Sequence, residues 1–313
     1  MGKIILFGEP MALLIADTTG PLEEVEHFTR ALSGAEVNVA IGLSRLGHEV
    51  EYLTRLGEDP FGHYIEATLK KNGIGTSLVS YDKVYRTGIQ LKNRVTDGSD
   101  PYAPYYRKGS AASHISVKEI DEMDLSEVTL IHMTGIPPAL SQSAREAAFR
   151  LMERGRERGI FITFDPNLRP ALWEDEETMI RVIHQLAAKA DVILPGIEEC
   201  KVLVGTRDKE QIAAFYQNLG VHTVIIKDGA RGAYVKDGKE AYEVSGYPVE
   251  QVVDTVGAGD GFAVGVISGM VEGLKLKESV KRGNAIGAIQ VMHVSDNEGL
   301  PDRKELREFQ KEA

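Results

Sequence analysis

Short apolar runs alternate with longer stretches of helical period along most of the chain. Residues 4–7 form an unbroken apolar run closed by Gly8, the pattern of a strand buried on both faces. Similar runs at 49–56, 130–135, 160–165, 192–194 and 223–227 predict further strands. Between them, 33–47, a segment ending at Lys71, 141–158, 176–189 and 208–219 carry apolar residues at helical spacing. After a strand over 241–244 come helices over 260–273 and 276–292 and a charged C-terminal helix. Strand and helix in regular alternation predict a parallel sheet covered by helices.

The rhythm breaks in two places. Residues 9–30 lack helical period and carry Thr, Gly and Pro, which predicts a partly stranded excursion. From about 75 to 110 the period becomes two. Residues 87–95 and 102–108 read as a hairpin around Asp97, Gly98, Ser99, Asp100 and Pro101. The second hairpin strand crowds Tyr102, Tyr105, Tyr106, Arg107 and Lys108 together. An edge strand or subunit contact would explain the exposed aromatics. The favoured reading, compatible with it, is a lid whose tyrosine hydroxyls and Arg107 reach a polar, anionic substrate.

The chemistry concentrates late, in Asp254-Thr255-Val256-Gly257-Ala258-Gly259-Asp260-Gly261-Phe262. Small residues at the first turn of a helix let an anion approach main-chain N–H groups, and the helix dipole favours negative charge there. A tight loop with Asp260 as N-cap is the plainer alternative. A carboxylate inside an anion nest acquires a purpose if it accepts a proton from an attacking hydroxyl. The stretch is no Walker A loop, since no Gly-x-x-x-x-Gly-Lys-Ser/Thr occurs, and it lacks the third spaced glycine of a dinucleotide fingerprint. Further upstream, Gly34, Glu36 and Asn38 open the first helix, where they serve as caps or bind hydroxyls. Asp165-Pro166-Asn167-Leu168-Arg169-Pro170 follows a predicted strand, where open α/β sheets bind ligands. Arg169, held between prolines, suits bidentate recognition of a carboxylate or phosphate, with a surface salt bridge as its plainer role.

A chain of 313 residues can bury one large α/β core. A net charge of −11 argues against nucleic-acid and anionic-membrane partners, but two local arginines suffice for a small anion. The single cysteine, Cys200, excludes an internal disulfide and a cysteine-rich metal site. His132, His184, His222 and His293 lack metal-ligand spacing, and Trp173 reads as packing. With no signal peptide and no apolar run near 18 residues, the expected location is cytoplasmic.

Gly34-Ala35-Glu36-Val37-Asn38-Val39-Ala40, with Gly47 and Gly57 beyond it, resembles the N-terminal pattern of ribokinase-like (phosphofructokinase B type) carbohydrate kinases. The stretch from Asp254 to Phe262 resembles their C-terminal pattern. Tyr105-Tyr106-Arg107-Lys108-Gly109-Ser110-Ala111-Ala112-Ser113, Asp165-Pro166-Asn167-Leu168-Arg169-Pro170 and Asp296-Asn297-Glu298-Gly299-Leu300-Pro301 are similar to the 2-keto-3-deoxygluconate kinases in particular. The resemblance implies a three-layer α/β/α sandwich with a mostly parallel central sheet and a small β-sheet lid. It implies one domain over 1–313, the lid inserted as about 9–32 and 75–110. The implied reaction is ATP-dependent phosphorylation of the sugar's terminal hydroxyl, with Asp260 as base and Gly257, Ala258 and Gly259 as the anion hole.

By the same resemblance Gly34, Asn38, Gln90, Tyr105, Arg107, Arg169, Asp260 and Asp296 face the sugar acid. Asn167, Glu199, Lys227, Gly229, Gly232, Gly257 and Gly259 face ATP, Glu199 acting on Mg2+ through water. A monovalent cation near Asp254 is left open, and the lid edge implies a homodimer or larger homo-oligomer. Two positions depart from the pattern: Gly196 stands where Asn is usual, and Gln90 where a lid Tyr is usual. A kinase of a neutral sugar, such as fructose or ribose, and a catalytically silent sugar-acid binding protein are the alternatives.

Overall fold

The computed structural model describes residues 2–96, 101–293 and 296–312. Its strands are β1 (Lys3–Phe7), β2 (Met11–Thr19), β3 (Phe28–Ser33), β4 (Val50–Gly57), β5 (Val79–Asp82), β6 (Ile89–Arg94), β7 (Tyr105–Tyr106), β8 (Val128–Thr134), β9 (Phe161–Asp165), β10 (Val192–Ile193), β11 (Thr223–Lys227), β12 (Gly232–Asp237) and β13 (Glu240–Ser245). Nine of them form a large sheet in the order β13-β12-β11-β10-β9-β8-β1-β4-β5, and four form a second sheet in the order β3-β2-β6-β7. From β5 to β11 every neighbouring pair in the large sheet is parallel, and β12 and β13 add antiparallel at one end.

Strand alternation divides the core between two faces. Ile5, Phe7, Ile193, Val224 and Ile226 pack into one apolar cluster with Leu151, Met179 and Ile212 from helices Gln142–Glu157, Glu176–Ala187 and Lys209–Asn218. Their sequence neighbours Ile4, Leu6, Val192 and Ile225 pack into a second cluster, with Val37, Ile65, Val264 and Ile286 from Ala35–Arg45, Pro60–Lys71, Ala258–Val271 and Leu276–Gln290. Two apolar faces on one sheet require two helical layers. Each fully buried Ile, Leu or Val contributes about 1.5–3 kcal/mol, so a one-residue register slip would be costly throughout the sheet.

The second sheet draws on both predicted excursions, with one correction. Val79–Asp82 pairs in parallel with β4 at the edge of the large sheet, so the second excursion begins only after it. The expected hairpin is present as the antiparallel pair Ile89↔Tyr106 and Gln90↔Tyr105. Its turn at 97–100 lies outside the described residues. Trp173 and Cys200 lie in the first cluster. His132 is a neutral core residue: burial drives its imidazole down to about 3, and Nδ1 lies 2.9 Å from Thr163 Oγ1. No helix among the described residues is long and apolar enough to cross a membrane.

Candidate active site

A polar cleft of about 300 Å³ opens between the carboxyl ends of the large-sheet strands and the second sheet. Gly34, Asn38, Gln90, Tyr105, Arg107, Asn167, Arg169, Glu199, Lys227, Gly257, Gly259, Asp260 and Asp296 all line it. Ala258, Gly229 and Gly232 do not. Ala258 begins the helix behind the turn, and the other two glycines shape the connection from β11 to β12.

Gly257 caps the helix Ala258–Val271 in the left-handed region at φ 81°, and a Cβ there would stand 2.3 Å from the Asp296 carbonyl oxygen. Both constraints demand glycine. Gly34 is held similarly, at φ 139° with the Glu9 carbonyl oxygen 2.9 Å from where a Cβ would be. The two helix starts thus meet across the cleft, Asn38 from one and Asp260 from the other.

Asn38 Nδ2 donates to Asp260 Oδ2 at 2.8 Å. Asn297 Nδ2 donates to Asn38 Oδ1 at 3.0 Å, which fixes the amide so that its NH2 faces the carboxylate. Burial raises the Asp260 carboxyl to about 6, the Asn38 bond opposing the rise. A base near neutrality is ionised at physiological pH and still basic enough to take a proton. Asn38, expected to touch substrate, orients the candidate base.

Behind Asp260, Lys227 Nζ donates to Asp165 Oδ2 at 2.6 Å. Burial alone would lower the ammonium, but Asp165 and Glu199 outweigh it and hold the pKa above the ordinary lysine value. A Cβ on Gly259 would lie 3.7 Å from this Nζ, so the lysine and the glycine turn face the same space. Glu199 accepts from Leu168 N at 2.7 Å and from Gly196 N at 2.6 Å, and burial raises its carboxyl. A side chain at 196 would begin 3.1 Å from Glu199 Oε2, so a larger residue there would shift the carboxylate by a few tenths of an ångström. Asn167, at φ 40°, is the non-glycine residue with positive φ among the described residues, and its N–H donates to Asp165 Oδ1 at 3.2 Å. Asp165 thereby closes an Asx turn, and Asn tolerates the left-handed region better than most non-glycine residues.

The two arginines differ. Arg107 is buried and donates from Nε and Nη2 to Glu9 Oε2, both at 2.6 Å. Arg169 is half-buried, donates to the carbonyl of Leu168, and has no carboxylate within 4 Å among the described residues. The expectation of two available cations is corrected to one available and one engaged at its Nε–Nη2 edge.

Sequence reasoning missed Glu9 entirely. The one available sign was an acidic residue at the end of a buried strand, in Gly8-Glu9-Pro10. Glu36, read from sequence as a cap or a hydroxyl-binding group, is fully buried. Thr134 Oγ1 donates to it, and desolvation pushes its carboxyl up to about 7. Glu36 Oε2, Glu9 Oε1 and the Tyr52 hydroxyl are buried without hydrogen-bond partners among the described residues.

Fold and cleft together define an α/β protein with a charged pocket between a parallel sheet and a smaller one. Residues 1–303 match the pfkB family carbohydrate kinase pattern. A 2-dehydro-3-deoxygluconokinase of Bacillus subtilis (strain 168) is 46% identical over 97% of this chain and 94% of its own length. One of Thermoproteus tenax is 34% identical over 99% and 95%. A solved E. coli structure in complex with ATP and Mg2+, provisionally called Ribokinase II, superposes with a TM-score of 0.92 at 25% identity over all of both chains. The chain belongs to the pfkB family of carbohydrate kinases. It is a phosphotransferase with an alcohol acceptor.

Proposed function

We propose that the protein transfers the γ-phosphoryl group of ATP to the terminal hydroxyl of 2-keto-3-deoxygluconate. The observation that carries the mechanism is Asp260. It is a buried carboxylate at the first turn of a glycine-opened helix, oriented by Asn38, in one cleft with Lys227 and Arg169.

In this reading the sugar hydroxyl oxygen attacks the γ-phosphorus, the bond to the ADP oxygen breaks, and the hydroxyl proton passes to Asp260. The N–H groups of Gly257, Ala258 and Gly259 bind the oxygens on which charge grows. Lys227 adds a fixed positive charge held by Asp165. Arg169 takes the sugar carboxylate, and Arg107, Gln90, Tyr105, Gly34 and Asp296 shape the rest of the sugar pocket. Asn167 and the β11–β12 connection with Gly229 and Gly232 lie toward the nucleotide.

Mg2+ on the phosphates would offset their charge during transfer. Both oxygens of Glu199 are taken by main-chain amides, and Asp165 Oδ2 by Lys227. What fits is an ion held chiefly by phosphate oxygens, with these carboxylates reaching it through water. We also propose self-association through the second sheet, where Tyr102 and Tyr106 are 66% and 64% exposed and β7 is an edge strand. Light scattering of Tyr106→Ser against wild type tests it; an unchanged mass sinks it.

The deciding experiment is coupled ATP consumption with 2-keto-3-deoxygluconate beside fructose and ribose. Turnover confined to the keto acid is expected. Turnover on fructose or ribose would keep the chemistry and overturn the substrate, and no turnover at all would leave a binding protein.

A further inference from the structure

Lys92 lies in the middle of β6, two residues after Gln90 and so on the same face of the strand. Both are buried, at 5% and 6% exposure. Gln90 meets the cleft, while the lysine extends to the back of the glycine turn. Its Nζ donates to Asp254 Oδ2 at 2.8 Å and to Asp296 Oδ1 at 3.1 Å.

These two carboxylates bracket the turn. Asp254 Oδ1 accepts from Val256 N at 2.9 Å and so shapes the approach to Gly257. Asp296 presses its main-chain carbonyl against Gly257, and its Oδ2 lies 2.7 Å from Ser33 Oγ at the end of β3. Side-chain exposures of 9% for Asp254 and 5% for Asp296 leave little water to screen them. Two buried carboxylates touching one nitrogen would repel each other without the ammonium between them. One cation from the second sheet therefore sets the relative position of the two segments that flank Gly257.

We propose that Lys92 is a positioning residue for phosphoryl transfer: a tethered cation that holds the glycine turn in its anion-binding shape and ties that shape to the placement of the second sheet. The proposal rests on the kinase reading above. Lys92 acts through Asp254 and Asp296, away from the reacting atoms. Because β6 also carries Gln90 into the cleft, a sugar that orders this strand orders the turn with it.

The test is sugar-dependent ATP turnover by the full chain, with kcat and KM for ATP recorded separately. In Lys92→Met, kcat falls on the order of 10²-fold, the scale expected when a group near the reacting atoms is displaced by about 1 Å, and KM for ATP stays unchanged. Lys92→Arg restores most of the rate. Lys92→Ala, which leaves a void beside two carboxylates, gains rate when methylammonium is added, and wild type does not.

Wild-type kcat in folded Lys92→Met overturns the proposal. So does a loss that follows the unfolded fraction measured by circular dichroism and ignores methylammonium. If Lys92→Met and Lys92→Ala fold poorly, Lys92→Met combined with Asp254→Asn removes one buried charge of each sign. In that variant a low kcat in a folded protein supports the proposal, and a wild-type kcat overturns it. Absence of turnover in wild type with every sugar is a separate result, seen before any variant is made; it removes the kinase reading and this proposal with it.

Discussion

The two walls of the cleft carry one arginine each, and they hold them differently. On the second-sheet wall Arg107 is 6% exposed and tied to Glu9, itself 1% exposed. On the large-sheet wall Arg169 is half-buried, with a main-chain carbonyl as its one hydrogen-bond partner among the described residues. The first arginine is part of the structure, because removing it strands a buried carboxylate. The second is free to meet a ligand. Two residues of identical chemistry lining one pocket thus divide into a girder and a hook. A count of positive charges around a pocket overstates what a substrate can use.

The largest effect expected is on the large-sheet wall and sharpens the contrast. Asp260→Asn lowers kcat by about 10²–10⁴, the usual contribution of a general base, with sugar affinity by calorimetry retained. The same group gives wild-type kcat/KM an acid limb. With the carboxyl raised to about 6, activity declines as pH falls through that value, because protonated Asp260 accepts nothing. Unchanged turnover in Asp260→Asn, or a flat profile between pH 5 and 7, excludes it as the base.

Arg107→Ala breaks the girder. Removing one partner of a buried ion pair costs about 3–5 kcal/mol, visible in urea unfolding, and Arg107→Met combined with Glu9→Leu recovers most of that loss. Arg169→Ala leaves urea stability close to wild type. Equal destabilisation by the two alanine variants would erase the distinction between the walls.

Between the walls lies Glu36, whose carboxyl burial raises from 4.5 to about 7. The folded state holds this proton more tightly than the unfolded chain. Its contribution is therefore fully present below about pH 4.5 and is lost as pH rises through 7. Glu36→Gln should raise stability by up to about 3 kcal/mol at pH 8 and change little at pH 4, since every tenfold difference in proton affinity between folded and unfolded chain is worth about 1.4 kcal/mol. A variant no more stable than wild type at pH 8 refutes this.

The smallest effect tests the hook. Arg169→Ala weakens sugar-acid binding by about 1.5–3 kcal/mol, as expected for a lost charge-assisted hydrogen bond, and leaves weak binding of fructose unaltered. Equal loss for acid and neutral sugar would assign Arg169 a shape role instead.

The elements and the two helix starts were legible because their signals are local. Alternation along Ile4 to Phe7 separates the two core clusters, and Gly34 and Gly257 open their helices at positive φ. The roles of charged residues were not legible. Nothing near Arg107 in sequence announces Glu9, 98 residues away, and Lys92 reads as an ordinary strand lysine until Asp254 and Asp296 fold over it, 162 and 204 residues later. Glu36 reads as a cap or a hydroxyl-binding group in the first helical turn, and only the sheet behind it makes it a buried carboxyl. Val79–Asp82 went to the large sheet because pairing partners, rather than period, decide which sheet a short strand joins.

The hydrogen bonds from Ser33 to Asp296, Asn38 to Asp260 and Arg45 to the Leu300 carbonyl span 263, 222 and 255 residues. On the ribosome, a nascent chain that has not reached Gly257 possesses neither the candidate base nor the glycine turn, however well its first strands have formed. Translation takes roughly 10–45 s to cover the 222 residues from Asn38 to Asp260 at ordinary elongation rates. Premature termination before that point leaves Asn38 without the carboxylate it orients.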